Sequence, residues 1–173
     1  MSKASPIEML ERAAPICKAV LAKNNNRLEY SAQPDCPCVT ANPDIIQQLL
    51  VNLCTNAGRH TKNGVVKIRA SHTDGTHAAR QNDEPQPAKP LSGVLQPDDS
   101  VTFEVTDNGS GIAPDLLPRV FERNVSGDGK GGLGLAICSD IIRQHGGTIE
   151  IENVRTGGVL VRFTLPVATE EGM

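Results

Sequence analysis

The sequence is poor in aromatic residues, with no tryptophan, one tyrosine (Tyr30) and three phenylalanines (Phe103, Phe121 and Phe163). A core must therefore be built from Leu, Ile, Val and Ala, and base stacking on aromatic platforms is excluded as a mode of nucleic-acid binding. A basic surface is missing as well. Seventeen Lys and Arg against 20 Asp and Glu leave a formal charge of −3, opposite to the footprint of a nucleic-acid binder. No apolar run approaches the roughly 18 residues needed to span a bilayer. The opening Met1-Ser2-Lys3-Ala4-Ser5-Pro6 lacks the apolar centre of a signal peptide. Five cysteines, an odd number without framework spacing, fit a reduced, cytoplasmic compartment. Cys36-Pro37-Cys38 has no second pair or histidine cluster with which to complete a four-ligand zinc site.

What is present suits one globular domain. Residues 6–22 predict an amphipathic helix through Ile7, Leu10, Ala14, Cys17 and Leu21, with Pro15 placed to kink or split it. Arg27–Ser31 and Cys38–Ala41 read as short strands joined by a Pro-containing turn. Asn42-Pro43-Asp44 then opens a helix with a capping side chain, a proline at the first position and a carboxylate at the positive end. This helix runs to about His60, with Ile46, Leu50, Leu53, Cys54 and Ala57 on one apolar stripe and Asn52, Asn56 and Arg59 on another flank.

Val65–Ala70 and Val101–Thr106 alternate as strands, and the polar, aperiodic stretch 71–100 between them reads as a mobile insertion. Residues 113–122 predict a short helix or turn, and the Gly- and Asp-rich 124–132 a mobile loop. Leu133–His145 predicts a helix closed by Gly146-Gly147, with His145 at its negative end. Thr148–Asn153 and Val159–Leu165 predict a hairpin, and 167–173 a frayed tail. The pattern is that of an α+β two-layer sandwich, with helices on one face of a sheet.

Three segments could carry chemistry. In Asn52-Leu53-Cys54-Thr55-Asn56-Ala57-Gly58-Arg59-His60 two carboxamides lie four residues apart, with a cation near the second. A carboxamide oxygen can help hold Mg²⁺ while phosphates supply the other ligands, and Arg59 can neutralise a phosphate. A solvated helix face accounts for the same residues. Asp107-Asn108-Gly109-Ser110-Gly111-Ile112 follows a strand. It reads either as an Asn-Gly hairpin turn or as a carboxylate that accepts from an exocyclic amine while the glycines admit a flat ring. Lys130-Gly131-Gly132-Leu133-Gly134-Leu135 opens a helix, where free N–H groups favour an anion. It matches neither a Walker A loop nor a dinucleotide fingerprint.

In this order and combination, with Phe121 between the second and third, the segments resemble the ATP-binding catalytic domain of sensor histidine kinases, in the GHKL superfamily. The resemblance implies the Bergerat fold over residues 1–166, a mixed and mostly antiparallel sheet with helices on one face. It implies ATP and Mg²⁺ as ligands, an N box at Asn52–His60 with Asn56 as the metal ligand, and catalytic roles for Asn52, Asn56 and Arg59. It implies nucleotide contacts from Arg59, His60, Asp107, Gly109, Gly111 and Ile112, with Asp107 on the adenine amino group. It extends these contacts to Phe121 of the F box and to Lys130, Gly131, Gly132, Leu133, Gly134 and Leu135, and places a flexible ATP lid at 124–131. Lys130 stands where the family has its first glycine, and Asn124 where a second aromatic is frequent.

The ATPase branch carries a water-activating glutamate where this chain has Asn52, and a carboxamide cannot act as a general base. Phosphoryl transfer to a protein is therefore expected rather than hydrolysis. None of His60, His72, His77 or His145 has the sequence context of a phosphoacceptor. The resemblance thus implies a fragment of a cytoplasmic or membrane-anchored, homodimeric parent kinase. Its partners would be the separate dimerisation and phosphoacceptor histidine domain and a response regulator, with no nucleic acid. An anti-sigma-factor-like serine kinase and a non-enzymatic docking module of the same fold are the alternatives.

Overall fold

The computed structural model describes residues 1–74, 99–125 and 134–169. Helix α1 (Pro6–Ala22) follows a short strand β1 (Ser2–Ala4) and buries Met9, Leu10, Ala13, Cys17 and Leu21. Pro15 does not split the helix, which runs through it unbroken. It lies on the exposed side, as does Glu11, whose carbonyl loses the proline's missing N–H.

Strand β2 (Arg27–Ala32) and strand β3 (Val39–Ala41) form where expected but do not pair with each other. The linker between them holds Pro34 and Pro37, and Asp35 is left-handed at φ +58, so the chain turns out of the sheet. Strand β3 instead pairs antiparallel with β1, Ser2 opposite Ala41.

Helix α2 (Pro43–His60) starts where the Asn42 side chain accepts from the Asp44 and Ile45 N–H groups at 3.1 and 3.4 Å. Its stripe of Ile46, Leu49, Leu50, Leu53, Cys54 and Ala57 is buried. That stripe packs on α1 and on the sheet formed by β2, β4 (Val65–Asp74), β5 (Asp99–Asp107), β7 (Val159–Pro166) and β6 (Ile149–Asn153), in that order. Strands β2 and β4 are parallel, and the remaining pairs are antiparallel. Helix α3 (Gly134–Gln144) joins α2.

The period of two decides which face is covered. Val101, Phe103, Val105 and Asp107 of β5 are buried, and Phe103 stacks on Phe163, its partner in register, with ring centroids 4.9 Å apart. On the other face Glu104 and Arg162 are opposite each other and form an ion pair at 3.1 Å. The expected α+β two-layer arrangement is present.

Two boundaries differ from expectation. The β4–β5 ladder continues to Asp74 opposite Asp99, so the strands enter the polar stretch that began at residue 71 and ended at residue 100. Ser71 and His72 offer no apolar alternation; the backbone ladder and the hydrogen bond between His72 Nε2 and Asp99 Oδ1 at 2.5 Å carry the extension. At the C-terminus, Val167 bridges Val39 and the Ala168 N–H donates to the Cys38 carbonyl at 2.8 Å, so the expected tail does not begin at 167.

Candidate functional site

The end of α2 presents Asn52 and Asn56 half-buried and Arg59 and His60 exposed, on the flank away from the apolar stripe. Asn56 faces the first residue of α3. A Cβ at Gly134 would lie 3.7 Å from Asn56 Nδ2 and 3.9 Å from Oδ1, so the carboxamide fills the space beside that glycine. One turn earlier on α2, Asn52 lies beside the Cys138 thiol of α3. Burial pushes that thiol up to about 12, and the neighbouring Asn52 side chain pulls in the opposite direction.

The second segment is a compact turn at the end of β5. Asp107 is buried, and its Oδ1 accepts from the Gly109 N–H at 2.9 Å and the Val159 N–H at 3.3 Å. Both bonds fall on one oxygen; Oδ2 takes part in neither. Asn108 Oδ1 accepts from the Val65 N–H at 2.9 Å, and the Ser110 N–H donates to the His60 carbonyl at 3.1 Å. Ile112 and Asn153 exchange two bonds, each 2.8 Å long. The turn is thereby tied to β4, α2, β6 and β7.

The Asn-Gly hairpin alternative does not hold. A two-residue hairpin of that type needs positive φ at Asn108 and Gly109, and neither residue has it. Glycine is required at 109 by close approach, since a Cβ there would collide with the His60 carbonyl. At Gly158 the need is double: φ is +95 and a Cβ would strike the Asp107 carbonyl.

Phe121 is half-buried just after a 3₁₀ turn at Leu117–Arg119, and Arg123 reaches Asp140 of α3 at 3.3 Å. Lys130, Gly131, Gly132 and Leu133 lie outside the described residues, as does the expected lid beyond residue 125. Leu135 is half-buried against the core. The described residues thus bring Asn56 to Gly134 and His60 to the Asp107 turn. These two contacts are one helical turn apart, about 6 Å along α2.

Sequence reasoning missed Asn153 and Thr61 as parts of this site, and gave Asn108 and Gly158 no role of their own within their segments. Asn108 and Asn153 tie the turn to the distant Val65 and Ile112, and Gly158 and Thr61 pack against it. The only local sign was an asparagine shortly before Gly157-Gly158.

Residues 41–169 match the family of histidine kinase-, DNA gyrase B- and HSP90-like ATPases. The chain belongs to this family. Sensor protein KdpD of Clostridium acetobutylicum is 30% identical over 150 residues, which is 82% of this chain and 14% of KdpD. The nucleotide-free catalytic domain of histidine kinase ThkA superposes with a TM-score of 0.72 at 25% identity, covering 97% of this chain and 98% of that domain. ThkA is also known in complex with the response regulator protein TrrA. Full-length ShkA in complex with AMPPNP gives a TM-score of 0.75 at 27% identity, over 97% of this chain and 31% of ShkA.

This member of the ATPase family therefore corresponds in extent to a catalytic domain and spans a minor part of KdpD or ShkA. No helix among its described residues is long and apolar enough to cross a membrane.

Proposed function

We propose that this chain is the ATP-binding catalytic part of a two-component sensor histidine kinase. In this reading it binds Mg²⁺-ATP and delivers the γ-phosphoryl group to a histidine on a dimerisation and acceptor domain outside the chain. The observation that carries the reading is the double contact of α2, whose Asn56 stands at the start of α3 while its His60 carbonyl holds the Asp107 turn.

The adenine end belongs at that turn. Asp107 Oδ2 accepts from the exocyclic amine, and Gly109, Gly111 and Ile112 lie along the ring. The phosphates run along α2 toward α3, within reach of Arg59 and His60, with the N–H groups that open α3 at Gly134 and Leu135 facing them. Lys130, Gly131, Gly132 and Leu133 precede that opening in sequence, and Phe121 is assigned to flank the nucleotide. ATP carries the negative charge, and cation, guanidinium and helix N-terminus balance it.

The residues fit Mg²⁺ delivered with the nucleotide. Asn56 offers one neutral oxygen, and the described residues contain no group of three His, Cys, Asp or Glu that would hold an ion alone. When bound, the ion neutralises charge on the β- and γ-phosphates. Asn52 cannot take a proton from water, and beside Cys138 it serves as a positioning residue between α2 and α3. A response regulator then receives the phosphoryl group, and the parent kinase is a homodimer.

The test is phosphoryl transfer from γ-labelled ATP to the parent's acceptor helices added in trans. Acid-labile label on a histidine of those helices supports the reading. Acid-stable label on a serine of a partner protein favours the serine-kinase branch, and ATP binding without transfer to any acceptor contradicts kinase function.

A further inference from the structure

Thr61 closes α2 and lies directly behind the Asp107 turn. It is 1% exposed, and its Oγ1 is, among the described residues, the buried side-chain polar atom without a hydrogen-bond partner. The orientation of the side chain is set on both sides. Its methyl group faces Gly64, 2.5 Å from where a Cβ would stand there, and its hydroxyl faces Gly109, 2.6 Å from the corresponding position. The opposite rotamer would place the methyl at the turn, so the oxygen is aimed at residue 109.

Nothing local accounts for that hydroxyl. The backbone is extended, at φ −124 and ψ 132, which valine adopts as readily. The Thr61 carbonyl is already taken by Asn26 Nδ2 at 2.7 Å. A buried hydroxyl without a partner is a net cost, which an isosteric valine would remove. The adjoining turn holds one bond that ligand binding would disturb, from the Gly109 N–H to Asp107 Oδ1 at 2.9 Å.

We propose that Thr61 is a positioning residue for the adenine subsite. Its hydroxyl pairs with the backbone of the 107–111 turn when a purine amine engages the Asp107 carboxylate, and it thereby sets nucleotide affinity without touching nucleotide. This inference rests on the nucleotide-site reading given above. Asp107 then shares its charge with the ligand, and the Gly109 N–H gains Thr61 Oγ1 as a second acceptor. Glycine at 109 is what allows the two groups to approach.

The experiment compares the wild-type protein with Thr61→Val and Thr61→Ser, using calorimetric titration with a non-hydrolysable ATP analogue and Mg²⁺, alongside thermal unfolding without nucleotide. The expected result is a Tm for Thr61→Val equal to or above that of the wild type, with affinity about fivefold weaker, as one neutral hydrogen bond is worth. Thr61→Ser, which keeps the hydroxyl, retains wild-type affinity. Equal affinity in Thr61→Val overturns the inference. A lower Tm in Thr61→Val also overturns it, because the hydroxyl would then be paired before nucleotide arrives. So does an equal loss of affinity in Thr61→Ser. If the wild type itself fails to bind, the nucleotide-site reading falls and this inference with it.

Discussion

The carboxamide of Asn56 stands against Gly134, 3.7 Å from where that residue's Cβ would be. A neutral carboxamide on one helix and the positive end of another therefore border the same space. Asn56→Ala leaves the apolar stripe of α2 intact, so stability should change by less than about 1 kcal/mol. Under the proposed role, the gain in ATP-analogue affinity on adding Mg²⁺ should shrink while metal-free ADP binding persists. Calorimetry with and without Mg²⁺ checks this, and an unchanged metal dependence rejects Asn56 as the ligand.

Asp107→Asn separates fold from recognition. The amide oxygen can replace Oδ1 and keep the bonds from Gly109 and Val159. In the proposed site the amide nitrogen then meets the adenine amine donor to donor. Affinity for ATP should fall by about 1–3 kcal/mol with Tm nearly unchanged. A wild-type protein that binds ATP and GTP equally would contradict the role given to Asp107.

Gly109→Ala should damage the fold itself. The added methyl has no space between the His60 carbonyl and the Thr61 hydroxyl, and the nearest atom it meets is backbone. A loss of about 1–3 kcal/mol is expected in denaturant unfolding, with nucleotide binding lost alongside.

His145 carries a structural prediction. Helix-end placement suggested a charge on the helix dipole, but the ring instead joins two elements. Its Nδ1 bonds the Ile141 carbonyl at 2.7 Å, while its Nε2 accepts from the Asn42 N–H at 3.3 Å. Only a neutral ring with its proton on Nδ1 does both. His145→Ala frees the first turn of α2 from the end of α3 and should cost about 2 kcal/mol in chemical denaturation.

The Cys138 thiol predicts behaviour in alkali. Its ordinary value is 9.0, and burial pushes it up to about 12 in the fold. The unfolded thiol therefore ionises first, and this group's contribution to stability, complete below pH 9, is lost as pH rises toward 12. Urea midpoints at pH 8 and pH 10.5 should fall more steeply for the wild type than for Cys138→Ala.

Elements with a local signature were legible in the sequence. The Asn42-Pro43-Asp44 start of α2, its buried stripe and the β6–β7 hairpin each follow from neighbouring residues, and so does the order of the motif segments. Pairing between distant residues was not legible. Strand β1 has only three residues and forms because Val39–Ala41 lies beside it. The ends of β4 and β5 are polar and depend on each other. In the site, Asp107 and Asn56 stood out by type and spacing. Thr61 and Asn153 did not, because what marks them is the surface they face in three dimensions.

The central claim is that one end of α2 organises a nucleotide site, and titration of this chain with AMPPNP, with and without Mg²⁺, tests it most directly. The account predicts saturable, one-to-one binding that strengthens when Mg²⁺ is present. Absence of binding at millimolar nucleotide in both conditions would contradict it.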